Sequence, residues 1–171
     1  EMALACLEAL RECQSNKEVR AIYISGSGKA FCAGQDLQEA MDSAGPEIVQ
    51  IVEEHYNPII RLIREIEKPI VAAVNGVAAG AGANIALACD LTIATKSAKF
   101  IQAFSAIGLI PDSGGTFFLP RLVGLQKSSA LAMLGDKIVA EEAERLGMIY
   151  RWEEDEEFAE NSWKIAERLS K

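Results

Sequence analysis

Histidine and paired cysteines are what this sequence has least of. Its 171 residues hold one histidine, His55, and four cysteines, Cys6, Cys13, Cys32 and Cys89, with no CxxC or HxxxH arrangement among them. Zinc chemistry has little to build on. Buried free thiols in a reducing cytoplasm are expected instead of disulfides. Basic clusters are also missing: 17 Lys and Arg stand against 25 Asp and Glu, a net charge of −8. That argues against nucleic-acid binding through a charged stripe. No apolar run approaches the roughly 18 residues of a membrane span, and no signal-peptide pattern is expected at the start, which points to a cytoplasmic protein away from membranes. Neither the GxxxxGK[ST] spacing of a P-loop nor a GxGxxG opening a helix after a strand occurs, so a nucleotide cradle is a weak reading.

What is present is ordinary soluble-globular usage, 50% apolar and 25% charged, in a chain long enough for one domain with a real core. Leu4, Leu7 and Leu10 recur at helical spacing over Met2 to Cys13, and Val19 to Ile24 reads as a strand. A glycine-rich turn, Ser25 to Gly28, leads into the small-residue segment Lys29 to Leu37. Pro46 opens a long helix to about Glu67, which Pro58 kinks or divides and which carries His55 as a surface or interface residue. Pro69 to Val74 is an apolar strand. Asp90 to Thr95 is another, with a short extended piece over Lys99 to Phe104. Helices follow over Phe117 to Leu122, Leu125 to Leu134 and Val139 to Leu146. Met148 to Trp152 is extended, and the acidic run Glu153 to Glu157 opens the last helix as a solvated start. Strands alternating with helices argue α/β.

The chain turns on Asn75 to Asn84, a run of small residues between the Pro69 to Val74 strand and the helical Ile85 to Ala88. A strand feeding a small-residue turn and a helix leaves backbone N–H groups free at the positive end of the helix dipole. Such a site suits a phosphate or an oxyanion. The same small residues also permit close helix–strand packing, and the sequence leaves both open.

Four segments together resemble the crotonase, or enoyl-CoA hydratase/isomerase, superfamily. They are Gly28 to Leu37, Lys68 to Gly76, Ala79 to Ala83, and Gly114-Gly115-Thr116 leading to Leu119-Pro120-Arg121. The resemblance covers residues 2 to about 169 and implies a ClpP-like spiral of ββα units with surrounding helices, residues 1–171 forming one core domain. A full member's additional N-terminal strand and C-terminal helices are expected to be missing. The resemblance further implies an acyl-CoA thioester as ligand, no cofactor beyond the coenzyme A of that substrate, no metal, and assembly as a homotrimer or dimer of trimers. It places the oxyanion hole on the backbone N–H groups of Ala33 and Ala81. Lys29, Gln35, Asp36 and Leu37 are implied contacts to coenzyme A; Gly80, Asn84, Phe104 and Ile107 are implied contacts to the substrate.

Departures from the family pattern decide the chemistry that the resemblance implies. Hydratases carry glutamates where this chain has Asn84 and Phe104, and neither can activate water or deliver a proton to carbon. A carboxylate stands instead at Asp112, which resembles the acid/base aspartate of isomerase branches, above all the ring-1,2-epoxyphenylacetyl-CoA isomerases. An apolar surround of Phe104, Ile107 and Leu109 is expected to raise its pKa. Read from the residues alone, Asp112 is a helix N-cap, since Pro-Asp-Ser-Gly before a helix is a common capping context. The expected activity is isomerisation of an enoyl-CoA or epoxyphenylacetyl-CoA ester. Alternatives are a hydratase-like lyase, an aromatic acyl-CoA dehalogenase (disfavoured because His55 is out of register and Phe104 replaces a Trp), and a non-catalytic acyl-CoA-binding member.

Overall fold

The computed structural model describes residues 1–36 and 45–171. Its frame is two four-stranded sheets that the chain visits in turn. The first has the order β1 (Ile22–Ser25), β3 (Ile70–Val74), β5 (Leu91–Thr95), β8 (Arg151–Glu153), all parallel. The second has the order β2 (Ala30–Cys32), β4 (Val77–Ala79), β6 (Lys99–Ile101), β7 (Lys137–Val139), parallel except for the antiparallel β7. Each strand of the first sheet up to β5 runs directly into one of the second, which is the ββ repeat of a spiral.

Every residue of β3 is buried, as a parallel strand covered on both faces requires. Ile70, Ala72 and Val74 face the main core, while Val71 and Ala73 pack with Ile93 against Phe158 and Ala166. The last two lie on the C-terminal helix, Phe158–Leu169. The first helix, α1 (Met2–Ser15), buries Ala3, Leu7 and Leu10, and the Lys68 ammonium donates to the carbonyl oxygens of Cys13 and Asn16 at its C-terminal end. The long helical stretch is divided into α2 (Ile48–Ile51), a π-helical turn (Val52–Tyr56) and α3 (Asn57–Glu65). Pro58 lies at the start of α3, so the division expected from it is found. A widened turn just before a proline relieves the clash its ring would make with the carbonyl four residues back.

At the centre is α4 (Ala81–Ala88), with all eight residues buried and contacts to strands of both sheets. It is followed by α5 (Gly115–Val123), α6 (Leu125–Leu134), α7 (Ala140–Arg145) and α8 (Phe158–Leu169). Three expectations change. The stretch after Val74 is a strand, β4, before it is a helix start. Lys137–Val139 is a strand ahead of a shorter helix. The acidic run is not simply a solvated helix start: Glu153 belongs to β8, and Asp155 accepts from Thr95 Oγ1 at 2.6 Å and from the Ser97 N–H at 3.0 Å. These bonds hold the Asp155 carboxyl below its ordinary pKa. Among the described residues no helix is long and apolar enough to cross a membrane, and no cluster of three metal-ligating side chains occurs.

Candidate active site

The small residues of Asn75 to Asn84 are demanded by contact. A Cβ at Gly76 would overlap the Lys29 carbonyl, and one at Gly82 would overlap the Cys32 carbonyl oxygen. Asn75 closes the same seam: its Oδ1 accepts from the Gly26 N–H at 2.9 Å and its Nδ2 donates to the Gly28 carbonyl at 3.0 Å. The end of β2 is therefore held against the start of α4. Gly34, just beyond β2, comes so close that its Cβ would stand 3.1 Å from the Ala79 carbonyl oxygen and 3.4 Å from the Ala81 nitrogen. Gly80, at φ +54°, turns the chain into α4 in a conformation that side chains other than glycine resist. The packing reading of this stretch is found: close packing is what brings the loop after β2 against the start of α4.

A cavity of about 160 Å³ opens where they meet. Ala33, Gly34 and Gln35 form one side, Gly80 and Ala81 another, and Asp112 enters from the loop before α5. Ala81 starts α4, so its N–H has no intrahelical acceptor. The remaining wall is apolar, from Ile48 and Ile51 of α2, Phe104, Ile107 and Leu109. Tyr56 completes it from the π-helical turn and donates its hydroxyl to Gln35 Oε1 at 3.3 Å.

Asp112 does not cap α5. That helix has Gly114 as its N-cap, with no side-chain cap bond. The carboxylate instead accepts from Ser113 Oγ at 2.8 Å, inside the cavity wall. Burial pushes its pKa above the ordinary carboxylate value, and the Ser113 hydroxyl opposes the shift more weakly. Ser113 is itself left-handed, at φ +49°. The arrangement sets the helix-start N–H of Ala81 in one cavity with a carboxylate biased towards holding a proton.

Among the other residues singled out from sequence, Gly80, Phe104, Ile107 and Gln35 line the cavity. Asn84 does not, and the expectation of a substrate contact is corrected: it is wholly buried, donating to the Asp112 carbonyl at 2.9 Å and accepting from Gln102 Nε2 at 2.8 Å. Lys29 and Asp36 are exposed and outside the cavity wall, and Leu37 lies outside the described residues. His55 sits in the π-helical turn away from the wall. Sequence reading missed Tyr56, Ile48 and Ile51, which look like more of the apolar stripe of a helix. It also missed Gln102, whose one signal is a polar residue amid apolar neighbours.

The chain resembles known proteins over its whole length. The family model described as enoyl-CoA hydratase/isomerase matches residues 1–171. The chain is 43% identical over 173 residues to the 1,2-epoxyphenylacetyl-CoA isomerase of Escherichia coli, covering 99% of this chain and 66% of that protein. It is 48% identical over 147 residues to a probable enoyl-CoA hydratase of Rhodobacter capsulatus, covering 86% of this chain and 56% of that one. The solved structure of an enoyl-CoA hydratase from Bacillus anthracis superposes with a TM-score of 0.89 at 31% identity, over 99% of this chain and 66% of that one. The chain thus spans slightly under two thirds of the first relative and just over half of the second.

Proposed function

The chain belongs to the enoyl-CoA hydratase/isomerase family, and on that premise we propose that it is an acyl-CoA isomerase acting on an enoyl-CoA or an epoxyphenylacetyl-CoA ester. The observation that carries the reading is Asp112: a half-buried carboxylate sharing one apolar cavity with Ala33 and Ala81. On a 3-enoyl-CoA, the Ala33 and Ala81 N–H groups hold the thioester oxygen. Asp112 takes a proton from C2, and the electron pair moves into the thioester as a dienolate. The protonated Asp112 then returns the proton to C4, leaving the conjugated 2-enoyl ester. One carboxylate serves as base and then acid, and no cofactor beyond the substrate's coenzyme A is required. A single backbone donor of this kind is worth roughly 3 kcal/mol in a preorganised site.

Hydration is the less favoured chemistry, because Asn84 is sealed from the cavity and Phe104 presents only a ring to it. A cavity near 160 Å³ is of the order that holds one benzene ring, which supports a ring or a short chain as the acyl group. Lys29, just before β2, and Gln35 and Asp36, just after it, are the residues offered to the coenzyme A moiety. Assembly as a homotrimer or dimer of trimers in the cytoplasm goes with the same reading.

The test is one panel of esters, 3-enoyl-CoA, 2-enoyl-CoA in water and epoxyphenylacetyl-CoA, against the full-length protein and Asp112→Asn. The parent should isomerise the first or third, and the variant should bind acyl-CoA without turnover. Full turnover by Asp112→Asn, or hydration as the dominant reaction, refutes the reading.

A further inference from the structure

We propose that Asn84 is a positioning residue for Asp112, oriented in turn by Gln102, so that the helix supplying the Ala81 donor also fixes the base. The inference rests on the isomerase reading above and goes beyond it. The bonds run in one direction only. The Asp112 carbonyl can do nothing but accept, so Asn84 presents Nδ2 to it at 2.9 Å and must present Oδ1 to its other neighbour. That neighbour is Gln102 Nε2, at 2.8 Å. Asn84 is 0% and Gln102 2% exposed, so no water competes for the relay.

Both amides of the relay are anchored in rigid elements. Asn84 lies in α4, and Gln102 follows directly on β6. The Asp112 carbonyl also accepts from the Gly115 N–H at 2.8 Å, so the loop is gripped by its own helix on one side and by α4 on the other. Gly115 lets the amide reach in, since a Cβ there would overlap Asn84 Nδ2. Ser113, next to Asp112, is left-handed, a conformation that persists only where the surroundings over-determine it. The α4 tether supplies that constraint.

Gln102 gives the strongest sign that the relay serves position rather than stability. Its Oε1 is buried with no hydrogen-bond partner among the described residues, so the residue leaves one polar atom unsatisfied in order to supply one donor. An apolar side chain of the same length removes that orphan but leaves the buried Asn84 Oδ1 unpaired in its place, so folding should change little.

The experiment compares Asn84→Leu, Gln102→Met and Asp112→Asn in the full-length protein, turning over a 3-enoyl-CoA. Asn84→Leu should lower kcat by about 100-fold with KM within about twofold, and Gln102→Met by about tenfold, as expected for a base held slightly out of place. Both should move the acid limb of the kcat–pH profile to lower pH, because a released carboxyl swings away from the apolar wall. Gln102→Met should do so with Tm lowered by no more than a few degrees, and the pH shift is the readout that a merely structural role would not move. It carries the test alone if Asn84→Leu fails to fold. An inactive Asp112→Asn beside wild-type kcat and pH profiles in the folded relay variants overturns the positioning role alone. No turnover by the parent, or full turnover by Asp112→Asn, overturns the isomerase reading and this proposal together.

Discussion

The two sides of the cavity that the proposal casts as donors and base are held in opposite ways. Ala33 and Ala81 are placed by what is missing: at Gly76 and Gly82 a single methyl would overlap a backbone carbonyl, and all of α4 is buried. Asp112 is placed by hydrogen bonds, from Asn84 and Gly115 to its carbonyl and from Ser113 to its carboxylate. The first kind of support ignores polarity and tolerates no added volume. The second tolerates volume poorly too, but it fails one bond at a time.

The changes that probe this contrast can be ranked. The largest effect falls on the carboxylate itself: Asp112→Asn should cost about 10³-fold or more in turnover, within the usual range for a general acid–base. The same variant should gain stability. Because burial raises the folded pKa above the ordinary value of 3.8, folding takes up a proton between the two values, and stability falls as pH rises through that window. Asp112→Asn should therefore melt above the parent at neutral pH and lose the advantage below that window, which thermal scans across pH would check. Next comes Gly82→Ala. Its methyl must push Cys32 away from α4, costing about 1–3 kcal/mol of stability in denaturant titrations and roughly 10²-fold in kcat/KM as the donors separate. Smaller again is Leu109→Gln, which brings a polar group and water to the carboxyl and should shift the acid limb of the rate profile to lower pH. Smallest is Ser113→Gly, which relieves the left-handed strain by at most about 1 kcal/mol but deletes the hydroxyl. It should move that limb to higher pH, since the lost bond favoured the charged form.

The sequence was informative where period or chemistry was strong. The apolar run of β3 and the stripes of α1 and α3 are legible in the sequence, as is the second half of α4, read as helix over Ile85 to Ala88, and Ala33, Ala81 and Asp112 do share one cavity. The second sheet was nearly invisible. Its strands are three residues long, and Ala30–Cys32 and Val77–Ala79 sit inside glycine-rich segments that signal turns. Asp112 read as a cap because its neighbours are capping residues, whereas the fold gives that place to Gly114. The Asn84 relay spans 28 residues to Asp112 and 18 to Gln102. No local pattern encodes such a link, and a polar residue on a wholly buried helix was the one trace it left.

The π-helical turn at Val52–Tyr56 has a consequence for how the pocket could be reshaped. It works as a clutch between two halves of one rod. Behind it, Ile59 and Ile63 engage the core; ahead of it, Ile48 and Ile51 face the ligand space. Removing one residue from the turn would rotate the forward half by about 100° against the rear, withdrawing both isoleucines from the wall while the rear half kept its grip. Acyl selectivity could then drift by insertion or deletion at this joint, without any change to the donors, the base or the core.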